Sequence, residues 1–238
     1  MELKNLHTAY NSATPFPHII IDDFMPSFDA KFCANEIAKY TQWGHDSSDY
    51  SKQAQVKKYF SPWCDANIQD IQRDMPMVWK YLQYYNSRAF LDQLEALTGI
   101  KGLIADDTFE GGGVHRIDSG GKLSVHTDYS KHPRKNLYRR INLLIYLNEN
   151  WQPAWGGTLQ LWDHETKQLI TEVQPEMNRA VIFNTTSTSL HGHPHPLNTP
   201  EGISRKSIAL YYFTEYPGDD SETIAATWYD LQWNNCKV

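Results

Sequence analysis

The chain should fold as a mainly β protein, an antiparallel jelly roll backed by N-terminal helices. Three observations predict this. Before about residue 103 apolar residues recur at helical spacing. After it, short β-branched and aromatic runs alternate with turn residues. No repeat, low-complexity tract or linker separates the halves. Several short strands at such spacing indicate an antiparallel sandwich or barrel, and a helical layer against a jelly roll in one domain follows. The expected division is 1–102 as helical support, 103–216 as jelly-roll core and 217–238 as a C-terminal extension.

One short strand, His18-Ile19-Ile20-Ile21-Asp22, precedes the helices. Ser27 can cap a helix in which Phe28, Phe32, Ile37 and Tyr40 recur at roughly helical spacing. The stretch from Trp43 to Trp63 has mixed polarity and reads as loop. A second helical block starts near Pro76, a good first-turn residue. It runs through Val78, Trp79, Leu82, Tyr85, Phe90, Leu91, Leu94 and Leu97, with Gly99 as its stop. Strands are expected near 112–117, 122–127, 139–147, 157–162, 168–174, 179–184 and 205–215. The turns between them are explicit: Asp118-Ser119-Gly120-Gly121, Asn148-Glu149-Asn150, Gly156-Gly157 and Pro175-Glu176-Met177-Asn178.

Composition narrows the function. The 238 residues carry 22 Lys+Arg against 28 Asp+Glu, a formal charge of −6. That mild acidity argues against a dedicated nucleic-acid binder, which is usually basic. Cys33, Cys64 and Cys236 form no CxxC pair, so neither a disulfide framework nor a thiolate zinc site is indicated. A reducing, cytoplasmic compartment is the simplest reading. The opening Met1-Glu2-Leu3-Lys4-Asn5 lacks the features of a signal peptide. The densest apolar run, Ile141 to Leu147, falls far short of the ~20 residues that cross a bilayer. The many aromatics, 14 Tyr, 9 Phe and 8 Trp, fit either core filling or an aromatic-lined substrate groove.

The informative triplet is His126-Thr127-Asp128, on or just after a strand. Residues two apart on a strand share a face, so His126 and Asp128 can reach one point together. An imidazole and a carboxylate are two members of the 2-His-1-carboxylate set that holds non-haem Fe(II). The triplet alone arises often by chance. The segment Leu190-His191-Gly192-His193-Pro194-His195-Pro196 supplies a distant histidine, and a strong strand carrying Arg205 follows it.

At these residues the chain resembles the Fe(II)- and 2-oxoglutarate-dependent dioxygenases, in their prolyl-hydroxylase-like branch. The resemblance runs from about Gly112 to Tyr216. It rests on His126-x-Asp128, on Asn142 to Asn148 followed by Trp151, on Trp155-Gly156-Gly157-Thr158-Leu159, and on Pro175 to Phe183. It continues through His191-Gly192 and Arg205-x-Ser207. The opening Pro15-Phe16-Pro17-His18-Ile19-Ile20-Ile21-Asp22-Asp23-Phe24 is similar to the first strand of that branch. The implied fold is the double-stranded β-helix, a cupin-like jelly roll.

The resemblance implies His126, Asp128 and His191 as iron ligands, His191 being preferred because it directly precedes Gly192. It implies Arg205 and Tyr146 as partners of the 2-oxoglutarate C5 carboxylate. A guanidinium offers a planar bidentate fork for such a group. Ser207 shares the strand face of Arg205, and Asn142 that of Tyr146, so both are candidates for the same pocket. Tyr211 stands where the family often places an aromatic, with core packing as the equal alternative. Ten residues before the first ligand, where the family often has tyrosine, stands Arg116. Arg116, or His115 beside it, is a candidate for the C1 carboxylate or a substrate charge. His193 and His195 read as loop residues, either exposed or standing behind the iron ligands. The basic segment 131–140, with Lys131, Arg134 and Lys135, is either a solvated turn or a cover that favours an acidic substrate.

The implied activity is hydroxylation of a C–H bond with Fe(II), 2-oxoglutarate and O2, ascorbate serving as reductant. Retention of the carboxylate ligand Asp128 argues for hydroxylation rather than halogenation. The substrate is a prolyl residue of a peptide or protein, or alternatively a free amino acid or small acidic metabolite. Two further readings are a binding protein that keeps the jelly roll without the chemistry, and a cupin-type metalloenzyme without 2-oxoglutarate. The first would not need an intact ligand set, and the second would not need Arg205 and Tyr146.

Overall fold

The computed structural model describes residues 2–45, 53–54, 56–58, 65–219 and 222–229. Its N-terminal half contributes α1 (His7–Ser12), β1 (His18–Ile21), α2 (Ser27–Lys39), β2 (Gly44–His45), β3 (Gln53–Ala54), β4 (Val56–Lys58), α3 (Asp65–Asp74), α4 (Pro76–Tyr85) and α5 (Arg88–Thr98). The rest is strand: β5 (Ile104–Ala105), β6 (Gly113–Ile117), β7 (Lys122–Thr127), β8 (Tyr138–Tyr146), β9 (Leu159–Trp162), β10 (Leu169–Val173), β11 (Arg179–Asn184), β12 (Leu190–His193), β13 (Arg205–Thr214) and β14 (Thr227–Trp228).

The helices begin and end for identifiable reasons. The main-chain N–H groups of Met77 and Val78, at the start of α4, donate to the Glu36 carboxylate at 2.9–3.1 Å. That satisfies donors which a helix start leaves unpaired. The apolar block after Pro76 is two helices rather than one, because the Ser87 hydroxyl accepts from Phe90 N–H and starts α5 anew. Gly99, at φ +79°, ends α5 in the left-handed conformation, as the sequence suggests. Ser27 is not a cap: α2 is preceded by Pro26 and has no side-chain cap. Its buried face is Ala30, Cys33, Ala34 and Ile37, while Phe28 and Phe32 stack on each other at the surface. The small residues let α2 approach its neighbours closely, which the aromatics would prevent.

Two antiparallel sheets face each other. The larger runs β1-β11-β8-β13-β6-β4-β2 with β5 beside β13. The smaller runs β10-β9-β12-β7-β14 with β3 beside β7. Strand alternation sorts the side chains of the larger sheet. Ile141, Leu143, Ile145, Ala180, Ile182, Ile208, Leu210 and Tyr212 face the helices and join the main core with Leu82, Leu94 and Leu97. Tyr146, Val181 and Phe183 face the smaller sheet and pack on Leu159 and Leu161. Burying one such side chain stabilises by about 1.5–3 kcal/mol.

Three elements differ from the sequence reading. The segment 43–63, read as loop, contains strand at β2, β3 and β4, with its remaining residues largely outside the described ones. The histidine tract, also read as loop, supplies β12 between β7 and β9. In the C-terminal extension, β14 pairs with β7 at Thr127 and His126. Among the described residues no helix is long and apolar enough to cross a membrane.

Candidate metal and cosubstrate site

The two sheets leave a pocket open at one end, and its chemistry begins at the pairing of β7 with β12. That register sets His191 directly opposite His126, with ring centroids 4.5 Å apart. Asp128 follows the end of β7. Each histidine is fixed by its own strand: His126 Nδ1–H donates to Ser124 O at 2.9 Å, and His191 Nδ1–H to Ser189 O at 3.0 Å. These bonds assign the tautomers and leave each Nε2 with a free lone pair. The Nε2 atoms lie 3.6 and 3.5 Å from the two oxygens of Asp128. One ligand atom from each of the three residues falls within 4.8 Å of the others. This donor set, two imidazoles and one carboxylate, suits a divalent iron with open positions.

Gly192 makes the pairing possible. A Cβ there would stand 2.8 Å from the main-chain oxygens of both Leu123 and Ser124. Backbone cannot yield as a side chain can. Gly192→Ala should therefore push β12 off β7, weaken metal affinity roughly 10–100-fold and destabilise the fold by about 1–3 kcal/mol. Metal titration and thermal unfolding check this. Unchanged affinity would mean that the strand spacing does not set the ligand geometry.

Asp128 is held from behind. Asn142 Nδ2 donates to its Oδ2 at 2.8 Å, and Arg139 Nη2 lies 3.0 Å from the same oxygen. Arg139 Nε also donates to Asn142 Oδ1 at 2.9 Å, closing a three-residue network. Burial pushes the Asp128 carboxyl up, but Arg139, His191 and His126 outweigh it and hold it well below the usual range. Burial lowers His191 to about 4, against the opposing pull of Asp128. Asp128 and His191 are thus in their metal-binding protonation states at neutral pH.

Arg139 reaches the pocket through a β-bulge. Pairing of β13 with β8 passes from Tyr212 opposite Ile141 to Phe213 opposite Arg139, skipping one residue. The slip moves Arg139 from the helix-facing side onto the pocket side, where it lies over the Tyr211 ring at 3.4 Å from the centroid. Tyr129, whose ring is 4.7 Å from the same guanidinium, lines the pocket as well.

The inner end of the pocket is Arg205. Its Nε donates to Gly157 O at 2.8 Å, and its Nη2 to Tyr146 Oη at 3.3 Å. Gly157, at φ +73°, is required by contact too: a Cβ would meet Arg205 Cδ at 2.9 Å. The guanidinium is buried, and burial draws its pKa down with only Tyr146 opposing. Among the described residues it has no carboxylate partner. A buried, unpaired cation is costly, and a dicarboxylate such as 2-oxoglutarate meets this need. The site therefore fits both groups, iron at the imidazole–carboxylate end and an anion at the guanidinium end.

Ser207 and Tyr211 line the pocket as the strand parity of β13 suggests. Asn142 lines it too, but its amide serves Asp128 and Arg139 rather than standing free for a cosubstrate. Arg116 is a correction. It lies on the helix-facing side of β6, pairs with Asp118 at 2.8 Å and covers the Trp43 ring, while His115 on the opposite side lines the pocket. Arg134 is another: it pairs with Glu110 at 2.9 Å. Lys131 pairs with Glu222, and Lys135 with Asp106 and Asp107. His195 is exposed, whereas His193 is a buried strand residue in the pocket wall. Trp228 of β14, on which the sequence offered no signal, stacks against His126 at 4.9 Å.

Comparison with known proteins agrees with this geometry. The sequence model of the 2OG-Fe(II) oxygenase superfamily matches residues 112–213. Prolyl 3-hydroxylase OGFOD1 of Mus musculus is 33 % identical over 79 residues, covering 32 % of this chain and 14 % of that protein. Hypoxia-inducible factor prolyl hydroxylase of Caenorhabditis elegans is 29 % identical over 222 residues, 87 % of this chain and 28 % of that protein. The chain thus spans less than a third of either curated relative. Among solved structures, a Pseudomonas putida prolyl-4-hydroxylase superposes with a TM-score of 0.58 at 16 % identity, over 90 % of this chain and 100 % of that one.

Proposed function

We propose that the chain, whose residues 112–213 match the sequence model of the 2OG-Fe(II) oxygenase superfamily, is a member of it and hydroxylates a prolyl residue of a peptide or protein. The observation that carries this reading is one concave surface holding both the three-residue ligand cluster and the buried guanidinium without an acid partner. In this reading His126, Asp128 and His191 hold Fe(II) and leave its other positions open. Arg205 and Tyr146 bind the distal carboxylate of 2-oxoglutarate, with Ser207 beside them. When bound, iron and 2-oxoglutarate supply the oxidising power, O2 and the cosubstrate yielding succinate, CO2 and one oxygen atom for the substrate.

The chain's own residues do the rest. Asn142 and Arg139 fix the orientation and charge of Asp128. Tyr211, Tyr129 and Trp228 give the mouth aromatic walls that exclude water and suit a compact apolar ring. The two curated relatives are both named prolyl hydroxylases, which supports a prolyl substrate. The reading with a small acidic metabolite rested on the basic loop. Lys131, Arg134 and Lys135 all have carboxylate partners, which favours the solvated-turn reading of that loop. Within the proposal the enzyme works in the cytoplasm, an assignment supported by the free, buried thiol of Cys33.

The test is succinate release with Fe(II), 2-oxoglutarate and O2 over proline-containing peptides and free amino acids. A peptide that gains one oxygen atom in step with succinate is the expected result. Stimulation by a free amino acid, with no peptide active, would overturn the prolyl-peptide assignment.

A further inference from the structure

His193 lies two residues beyond His191 on β12, and its side chain lines the same pocket. It is 3 % exposed. Neither of its ring nitrogens has a hydrogen-bond partner among the described residues. Leaving one buried polar group unpaired costs on the order of 1–3 kcal/mol, and such groups are few in folded proteins. The other two pocket histidines on these strands differ, since each sends Nδ1–H to a main-chain carbonyl. The register slips between His191 and His193, so that His193 stands opposite Leu123. Strand irregularities of this kind commonly re-aim a side chain beside a site.

The charged and titratable groups that act on His193 are Arg205 and His126, and no acid is among them. Arg205 in turn has no carboxylate partner among the described residues and gives Nε and Nη2 to Gly157 and Tyr146. Two buried nitrogen-bearing side chains thus converge on one end of a pocket with donors to spare. An anion with several oxygens satisfies both at once.

We infer that His193 is a cosubstrate-binding residue, its ring N–H donating to the carboxylate of 2-oxoglutarate that Arg205 grips. The inference rests on the proposed 2-oxoglutarate site and adds a donor to it. Donation needs no change of charge, because a neutral imidazole always keeps one N–H. Leucine at this position fills a similar volume without a donor, whereas glutamine restores an N–H.

Calorimetric titration of 2-oxoglutarate into the anaerobic, Mn(II)-loaded protein tests this, with Mn(II) affinity measured separately. His193→Leu should raise the 2-oxoglutarate Kd by about tenfold or more, the scale of one hydrogen bond to a charged group. His193→Gln should stay within about threefold of wild type, and all three proteins should bind Mn(II) alike. An unchanged Kd in His193→Leu overturns the assignment, as does a loss in His193→Gln equal to that in His193→Leu. Failure of the wild type itself to bind 2-oxoglutarate would instead sink the proposed function, and the inference with it. Should His193→Leu not fold, wild type carrying 15N-histidine and Zn(II) gives the answer. The His193 ring resonance, identified by its absence in His193→Gln, should move on adding 2-oxoglutarate while that of exposed His195 stays. A still His193 signal overturns the inference.

Discussion

Replacing His191 by alanine should abolish turnover and cut divalent metal affinity by more than the roughly 10–100-fold typical of losing a residue that merely supports a ligand. The expectation follows from the register. His191 faces His126 across the β7–β12 pairing, and its Nε2 is 3.5 Å from Asp128. Alanine leaves two ligands of three, on a sheet too rigid to bring another group in. Trp228, stacked on His126, offers a fluorescence readout of metal binding that does not depend on activity. His195→Ala is the control and should match wild type in both measurements, because His195 is exposed on the loop beyond β12. A metal-binding His191→Ala protein would remove His191 from the ligand set.

Arg205→Lys should raise the 2-oxoglutarate KM far more than it lowers kcat, by the equivalent of about 1–3 kcal/mol. Lysine keeps the charge but cannot donate to Gly157 O and to Tyr146 Oη while still presenting donors to a ligand. The site of Arg205 is also shaped for its stem, as the contact at Gly157 shows. Steady-state kinetics with varied 2-oxoglutarate decides the matter. An unchanged KM would mean that Arg205 does not hold the cosubstrate.

The pairing of His126 with Asp128 was legible in the sequence because its rule is local: residues two apart on a strand share a face. His191 came from the family resemblance, through the Gly192 that follows it, and the structure supplies the physical reason, since the absent Cβ allows the close approach to β7. The jelly-roll strands were legible for a similar reason, since turn residues bracket them. What escaped reading depends on contacts between distant segments. Arg139 enters the pocket only because of the bulge opposite Tyr212 and Phe213, and alternation alone sends it to the helices. Arg116 fails by the same alternation, one residue from the side that faces the pocket. The basic loop looked like a field of free charge because its acid partners, Glu110, Asp106 and Glu222, lie far off in the chain. On α2 the spacing of Phe28, Phe32, Ile37 and Tyr40 marks the helix, but only Ile37 and Tyr40 are buried while Phe28 and Phe32 are exposed. The contact side is marked by small residues, which carry little weight in a hydrophobic pattern.

The strand pairing has a consequence for how the chain comes to its fold. Among the described residues β1 has no sheet partner other than β11, so His18 waits for Phe183. β6 has β4 on one edge but waits for β13 on the other, and His126 waits for His191. These are long loops to close before any contact rewards the closure, and chains dominated by such pairings fold in roughly milliseconds to seconds rather than microseconds. The helices α2, α4 and α5 can form early from local sequence, but the apolar face they present is covered only when β8 and β13 arrive. During synthesis the metal cluster does not exist until β12 has emerged, and its guanidinium neighbour comes later still on β13. Iron binding therefore waits on the β7–β12 pairing, a contact between segments far apart in the chain, and not on the locally encoded helices.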